Sequence, residues 1–167
     1  ENYKKEIVPL KEFNQWLNSL DDKGLKFSIK YDKMLSSEVT NRAVVVQETL
    51  LKILLNNIIS NTEKYAFKNK EKGNRLLIES KIVDDFLELE IKNNGVPFPK
   101  NFNKEKFTVK YSTANSEKGT GLGGYDINRI AAYFGNPDWE LILDENTIYP
   151  VIFKFNFPIV PLSNTKS

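Results

Sequence analysis

The chain has 167 residues, which indicates one domain of ordinary size, and its 40% hydrophobic and 28% charged residues are typical of a globular protein. The 24 basic and 22 acidic residues leave a formal net charge of +2, so no nucleic-acid partner is expected. Cysteine and histidine are absent, which excludes disulfides, thiolate or imidazole metal sites and a histidine phosphoacceptor within this chain. No apolar run reaches the roughly 18 residues of a membrane span, so we expect no direct membrane contact.

The first part of the chain predicts alternating helices and strands. Apolar residues at helical spacing predict a helix at residues 9–20, and strict alternation predicts a strand at 25–31. A short β run at 44–46 leads directly into a long helix from about residue 48 to residue 67, and a polar loop at 68–74 follows.

The second part predicts a hairpin, a long loop and a last helix with two strands. The hairpin strands lie at 75–83 and 86–92. Residues 93–120 form a loop with one short helical turn at 104–107, and loops of this length are usually functional or disordered. This order favours one α+β domain with helices on one face of a mixed sheet. The remaining predictions are a helix at 122–134, strands at 139–143 and 151–157, and a tail without pattern at 158–167.

Three polar side chains share one border of the long helix. At about 100° per residue, Asn57, Asn61 and Lys64 lie between an apolar wedge and a solvent face. An amide oxygen can complete the oxygen shell of Mg²⁺, and a lysine can meet a phosphate as a point charge. The alternative is an ordinary polar helix flank, and the stripe alone leaves that alternative open.

The segment Asn93-Asn94-Gly95-Val96-Pro97-Phe98-Pro99 directly follows a predicted strand. Asparagine, glycine and proline are common turn residues, so a plain turn is one interpretation. As a site, Asn93 places a short polar side chain at the strand end, and Gly95 lets a planar ligand approach the backbone closely.

A glycine-rich segment opens the second long helix. Its glycines free successive backbone N–H groups to point at one anion, and the helix dipole adds to the attraction. A flexible hinge is the alternative interpretation. The segment consists of Lys118, Gly119, Thr120, Gly121, Leu122, Gly123 and Gly124.

Together and in this order, these segments resemble the nucleotide-binding motifs of the GHKL superfamily of Bergerat-fold ATPases, most closely the ATP-binding catalytic domain of sensor histidine kinases. Residues 57–65 resemble the asparagine box, 93–97 the Asp-x-Gly-x-Gly box, and 119–123 the final glycine box. The resemblance covers about residues 44–157. It implies a two-layer α/β sandwich with a mixed, mostly antiparallel sheet, about three helices on one face and a mobile ATP lid.

The resemblance also implies a division of the chain and a role for each motif residue. Residues 1–24 would be an N-terminal helix or linker, 25–160 the ATP-binding domain and 161–167 a tail. Asn61 would bind Mg²⁺, Lys64 would reach the terminal phosphates, and Tyr65 would pack near the adenine. Asn93, with Gly95 beside it, would accept a hydrogen bond from the adenine amino group. The phosphate side, under a lid over 108–118, would be formed by Lys118, Gly119, Thr120, Gly121, Leu122 and Gly123.

Three departures from the family pattern bear on activity. The hydrolytic branches hold a glutamate general base where this chain has Asn57, which cannot take a proton, so phosphoryl transfer is favoured over hydrolysis. Asn93 replaces the family's aspartate, which leaves a neutral and weaker acceptor for adenine. Pro97 occupies the second glycine of that box.

We therefore expect the ATP-binding catalytic domain of a histidine kinase-like protein, which transfers the γ-phosphoryl group of Mg·ATP to a histidine outside this chain. Asn57 and Lys64 would act at the reacting phosphate. The expected partners are a phosphoacceptor histidine domain, in the same parent protein or another chain, and a response regulator of two-component signalling. The expected location is cytoplasmic, with or without a membrane anchor on the parent protein. The alternative is a non-catalytic or weakly hydrolytic nucleotide-binding regulatory module.

Overall fold

The structure is a computed structural model that describes residues 4–20, 28–32, 41–67, 73–109 and 123–162. Its strands are β1 Glu6–Pro9, β2 Ser28–Asp32, β3 Arg42–Val46, β4 Arg75–Val83, β5 Phe86–Asn93, β6 Glu140–Leu143 and β7 Val151–Pro161. Its helices are α1 Leu10–Ser19, α2 Glu48–Asn61, α3 Lys104–Thr108 and α4 Gly123–Tyr133, and a π-helical turn, Thr62–Ala66, continues α2. No helix within these residues is both long enough and apolar enough to cross a membrane.

The described strands form one mixed sheet in the order β1-β3-β7-β5-β4-β2. The long strand β7 pairs with β5 along one edge and with β6 and β3 along the other. Only β2 and β4 run parallel among the described pairs; the other neighbours are antiparallel. The predicted α+β fold with a mostly antiparallel sheet is therefore confirmed.

One hydrophobic core lies between the sheet and the helices. Alternate residues of each central strand are buried, as the period of two in a strand requires, and they join the buried faces of α1, α2 and α4 in one cluster. Leu54 and Ile58 of α2 and Phe155 of β7 have no exposed surface within this core. All three helices therefore cover the same face of the sheet.

The opposite face of the sheet is polar and carries ion pairs between neighbouring strands. The Lys92 ammonium lies 2.6 Å from a Glu79 carboxylate oxygen and 3.4 Å from one of Glu90, which separates two like charges that lie directly opposite each other. The hydrogen bond from Lys92 is the main cause that lowers the pKa of Glu79 below its usual value. No second helical layer is needed on this charged face.

Several predicted boundaries differ from the structure. The hairpin of β4 and β5 is confirmed, and Asp84 at its turn has the left-handed φ of 55°. Strand β1 was not predicted, and β7 runs to Pro161, although residues 158–167 were predicted to have no pattern. The strand predicted at 25–31 is β2, and its residues 25–27 lie outside the described part of the chain.

Candidate functional site

The helix α2 places its polar border beside the core. The Gln47 side chain caps the helix by accepting a hydrogen bond of 2.8 Å from the Leu50 N–H, which satisfies one of the free donors of the first turn. Its apolar wedge is buried as predicted, with Leu54 and Ile58 completely covered. This burial fixes the rotation of α2, so Asn57 and Asn61 lie at the edge of the buried face, each partly exposed.

A π-helical turn follows Asn61 at the end of α2. The Phe67 N–H donates to the Thr62 carbonyl at 3.0 Å, and the Thr62 hydroxyl donates to the Ile58 carbonyl at 2.8 Å. Such turns are rare and frequently lie at functional sites. The long helix was predicted as regular to residue 67, so this turn corrects the prediction over its last part. The turn carries Lys64 and Tyr65.

The loop after β5 is held against the end of the π-helical turn through its backbone. The Val96 N–H donates to the Ala66 carbonyl at 2.9 Å. A Cβ added to Gly95 would lie 2.3 Å from the same carbonyl oxygen, far inside van der Waals contact. Glycine is therefore required at position 95 by the neighbouring helix end, which is a more specific reason than the turn propensity seen in the sequence.

Asn94 holds the same loop to the beginning of β4. Its Oδ1 accepts from the Arg75 N–H at 2.7 Å, and its Nδ2 donates to the Gly73 carbonyl at 2.9 Å. The Asn94 N–H also donates to the Arg75 carbonyl at 3.3 Å. Both arms of this amide are therefore used for structure, which leaves the neighbouring Asn93 as the polar side chain that faces the interior.

Asn93 ends β5 on the buried face of the sheet. The alternation of β5 places it on the same side as Leu89 and Ile91, and it is only 2% exposed. Its Oδ1 accepts a hydrogen bond of 3.0 Å from the Gly95 N–H, which closes a turn of the kind asparagine favours.

A cavity of about 250 Å³ lies between the end of α2 and the end of β5. We call its two sides the helical wall, formed by Asn61, Thr62, Tyr65 and Ala66, and the strand-end wall, formed by Asn93, Val96, Pro97, Phe98 and Pro99. Val151 and Phe153 of β7 close the cavity between the two walls.

Aromatic rings support the strand-end wall from behind. The Phe98 ring lies 4.6 Å from that of Phe102 and 5.8 Å from that of Phe107, measured between ring centroids. Phe107 in turn contacts Phe153 at 5.7 Å, and Trp139 stacks on Phe153 at 6.1 Å. Phe98 belongs to the predicted turn segment but was not among the predicted site residues, and Phe153 lies in no motif. The contribution of both rings depends on packing between distant segments.

The beginning of α4 meets the polar border of α2. A Cβ added to Gly123 would lie 2.8 Å from Asn61 Nδ2, so the absence of a side chain permits this approach. The adjacent Gly124 lies against Phe107, where a Cβ would be 2.0 Å from the carbonyl oxygen. One turn before Asn61, the Asn57 Nδ2 is buried and has no hydrogen-bond partner among the described residues.

The structure brings some of the predicted site residues together. Asn61, Tyr65 and Asn93 line one cavity, and Gly123 contacts Asn61 beside it. Partial burial raises the pKa of the Tyr65 phenol above its usual value.

Lys64 lies on the exposed side of the π-helical turn and does not line the cavity. Gly95 does not line the cavity; it packs against the Ala66 carbonyl at the end of the π-helical turn. The residues that lie outside the described part of the chain are Lys118, Gly119, Thr120, Gly121 and Leu122, with most of the predicted lid.

The residues present fit the base and the phosphates of a nucleotide in two neighbouring places. Ligand cavities typically measure roughly 300–1,000 Å³, so a cavity of about 250 Å³ is the size for a base and not for a whole nucleotide. A triphosphate would extend along α2 to Gly123 and to the buried Asn57 Nδ2, which no described residue pairs, both next to Asn61.

A divalent cation would have few protein ligands at this place. Within the described ranges, no cluster of three or more acidic side chains could hold a metal ion. Mg²⁺ commonly takes one or two protein ligands and completes its shell with phosphate oxygens and water. The Asn61 amide oxygen would be such a ligand.

Comparison with solved structures addresses the fold of the whole chain. The catalytic domain of histidine kinase ThkA superposes with a TM-score of 0.67 at 19% identity, over 93% of this chain and 97% of that one. The mycobacterial sensor histidine kinase MprB superposes with a TM-score of 0.64 at 15% identity, over 96% of this chain and 99% of that one. At these identities the two structures show a shared fold.

A relative and a family match address the sequence directly. The sensor protein LytS of Staphylococcus epidermidis is 30% identical over 79 residues, which are 47% of this chain and 13% of LytS. The chain therefore spans only a small part of that relative. Residues 46–158, more than half of the chain and including α2, the cavity and α4, match the family, and the chain belongs to the histidine kinase-, DNA gyrase B- and HSP90-like ATPases.

Proposed function

We propose that this chain is the ATP-binding catalytic domain of a histidine kinase, and that it transfers the γ-phosphoryl group of Mg·ATP to a histidine outside this chain. The observation that carries the proposal is the meeting of Asn61 with Gly123 at one end of a base-sized cavity. There the polar border of α2 meets the first residue of α4. A bound triphosphate would contact both, since helix N-termini bind phosphate groups.

Three polar residues of α2 and the π-helical turn would act on the phosphates. Asn61 holds Mg²⁺, and Lys64 approaches the terminal phosphates from the exposed side of the π-helical turn. Bound Mg²⁺ neutralises charge on the transferring phosphoryl group, and phosphoryl transfer asks the protein mainly for positioning. Asn57 cannot accept a proton from water, which supports transfer to another group over hydrolysis.

The acceptor must come from elsewhere because this chain contains no histidine. We propose a phosphoacceptor histidine domain, in the same parent protein or in another chain, and a response regulator that receives the phosphoryl group. A cytoplasmic location, where ATP is available, belongs to the same proposal.

The test is phosphorylation of the full-length protein with radiolabelled ATP and Mg²⁺. We expect label on a histidine, recognised by its loss in acid and its persistence in base. This chain alone should acquire no such label. Asn61→Ala in the full-length protein should abolish labelling, whereas Asn56→Ala, on the exposed face of the same helix, should leave it unchanged.

The alternative function is a regulatory module that binds nucleotide without transferring phosphate. Full-length protein that binds Mg·ATP tightly and acquires no acid-labile label would favour this alternative. Absence of nucleotide binding at millimolar concentration would contradict both functions.

A further inference from the structure

The orientation of the Asn93 amide has a consequence for the base that the cavity accepts. Asn93 lies in the strand-end wall, and only 2% of its surface is exposed. Its Oδ1 accepts the Gly95 N–H at 3.0 Å. Its Nδ2 makes no hydrogen bond to any of the described residues. The arm of this amide that remains for a ligand is therefore a donor.

The amide is held in this orientation by its surroundings. Rotating it by 180° would set Nδ2 against the Gly95 N–H, and leaving a buried donor unpaired costs about 1–3 kcal/mol. Gly95 cannot shift to relieve the contact, because it already lies against the Ala66 carbonyl. The neighbouring Val96 N–H is bonded to the same carbonyl at 2.9 Å.

A carboxylate at this position would behave differently. With one of its oxygens bonded to Gly95, the second would still accept a hydrogen bond, and this suits the amino group of adenine. The amide replaces that second acceptor with a donor. A donor is complementary to a carbonyl oxygen, such as O6 of a 6-oxopurine, and not to the N6 amino group of adenine.

Thr62, in the helical wall, offers a hydrogen-bond acceptor to the same cavity. Its hydroxyl proton is used in the 2.8 Å bond to the Ile58 carbonyl, so its oxygen offers the cavity only an acceptor. A 6-oxopurine carries a proton on N1 that such an acceptor can bind, whereas N1 of adenine is itself an acceptor. The two walls therefore present a donor and an acceptor, the complement of the O6 and N1–H edge.

We propose that this cavity accepts 6-oxopurine nucleoside triphosphates and binds them more tightly than ATP, with Asn93 as the residue that determines specificity. This inference rests on the proposed nucleotide-binding function and extends its substrate class. Phosphoryl transfer needs no other change, because the triphosphate is the same.

The test compares ATP with inosine triphosphate, since the two purines differ only at position 6 and in the proton on N1. Calorimetric titration with Mg²⁺ present should show inosine triphosphate binding about fivefold more tightly, the equivalent of one neutral hydrogen bond. Asn93→Asp, which restores an acceptor at nearly the same volume, should reverse the preference. Thr62→Val should weaken inosine triphosphate more than ATP.

Equal or tighter binding of ATP by the unchanged protein would overturn the inference and leave the proposed function intact. If the proposed nucleotide-binding function is wrong, the result is different: neither nucleotide nor tripolyphosphate binds. That result would contradict the inference as well.

Discussion

The two walls of the cavity are built in different ways. The loop of the strand-end wall is held by its own hydrogen bonds, because the neighbouring Asn94 uses both arms of its amide and Asn93 Oδ1 accepts from the Gly95 N–H. On the helical side, Asn57 Nδ2 is buried without a partner in the described part of the chain, and Asn61 lies against the opening of α4. The strand-end wall is therefore fixed before a ligand arrives and offers one oriented donor, Asn93 Nδ2, whereas the helical side leaves the buried Asn57 Nδ2 for a ligand to satisfy.

The largest expected effect comes from breaking the preformed wall at Gly95. In Gly95→Ala the new Cβ would lie 2.3 Å from the Ala66 carbonyl oxygen, so the loop must move away from the helix end. Overpacking of this kind costs about 1–3 kcal/mol, and the displaced Asn93 should lose most of its contribution to nucleotide binding. Thermal unfolding and calorimetric titration measure the two effects.

Gly135→Ala is the control for that substitution. Gly135 has a left-handed φ of 84° and open space around it, so alanine there strains the backbone at a residue that does not line the cavity. It should lower stability and leave nucleotide affinity unchanged. Unchanged affinity in Gly95→Ala as well would show that the strand-end wall does not bind the base.

A second, smaller effect is expected from Lys64 on the exposed side of the π-helical turn. Lys64→Ala should weaken ATP about tenfold or more and AMP little, because a charged hydrogen bond to the terminal phosphates is lost. Lys52→Ala is the matched control, since Lys52 is exposed on the same helix and pairs with Glu48 at 3.0 Å. Equal losses for ATP and AMP would show that Lys64 does not reach those phosphates.

The smallest effect is expected from Asn57, where stability and binding should change in opposite directions. Asn57→Ala removes a buried donor that no described residue pairs, and it adds helix propensity, so the free energy of unfolding without ligand should stay equal or rise by up to about 1 kcal/mol. Nucleotide affinity should fall a few-fold, as measured by titration. A large loss of stability would mean that the amide already has a structural role; Asn56→Ala serves as the control.

The parts of the fold that repeat a simple period could be predicted from the sequence. The apolar wedge of α2 and the alternation of β5 determine which residues are buried, so the placement of Asn61 and Asn93 beside the core followed from local pattern. Strand β1 could not be predicted in this way. It has only four residues, with an exposed Ile7, and its extended form depends on pairing with β3.

Much of the candidate site depends on contacts between distant segments. The cavity is closed by Phe98 and Phe153, which no local pattern connects. The orientation of the Asn93 amide depends on where the Gly95 N–H points, and that direction is fixed by Ala66. The acceptor for adenine that the sequence indicates at position 93 stays a prediction, and the donor that we propose there depends on this contact between distant segments.

The most direct test of the account is whether Asn61 couples magnesium to nucleotide binding. Calorimetric titration with a non-hydrolysable ATP analogue, with and without Mg²⁺, should show tighter binding with the metal in the unchanged protein and in Asn56→Ala. Asn61→Ala should bind the analogue equally weakly in both conditions. If Asn61→Ala retains the full gain from Mg²⁺, the metal-bound triphosphate does not lie between α2 and the opening of α4, which would contradict the proposed site.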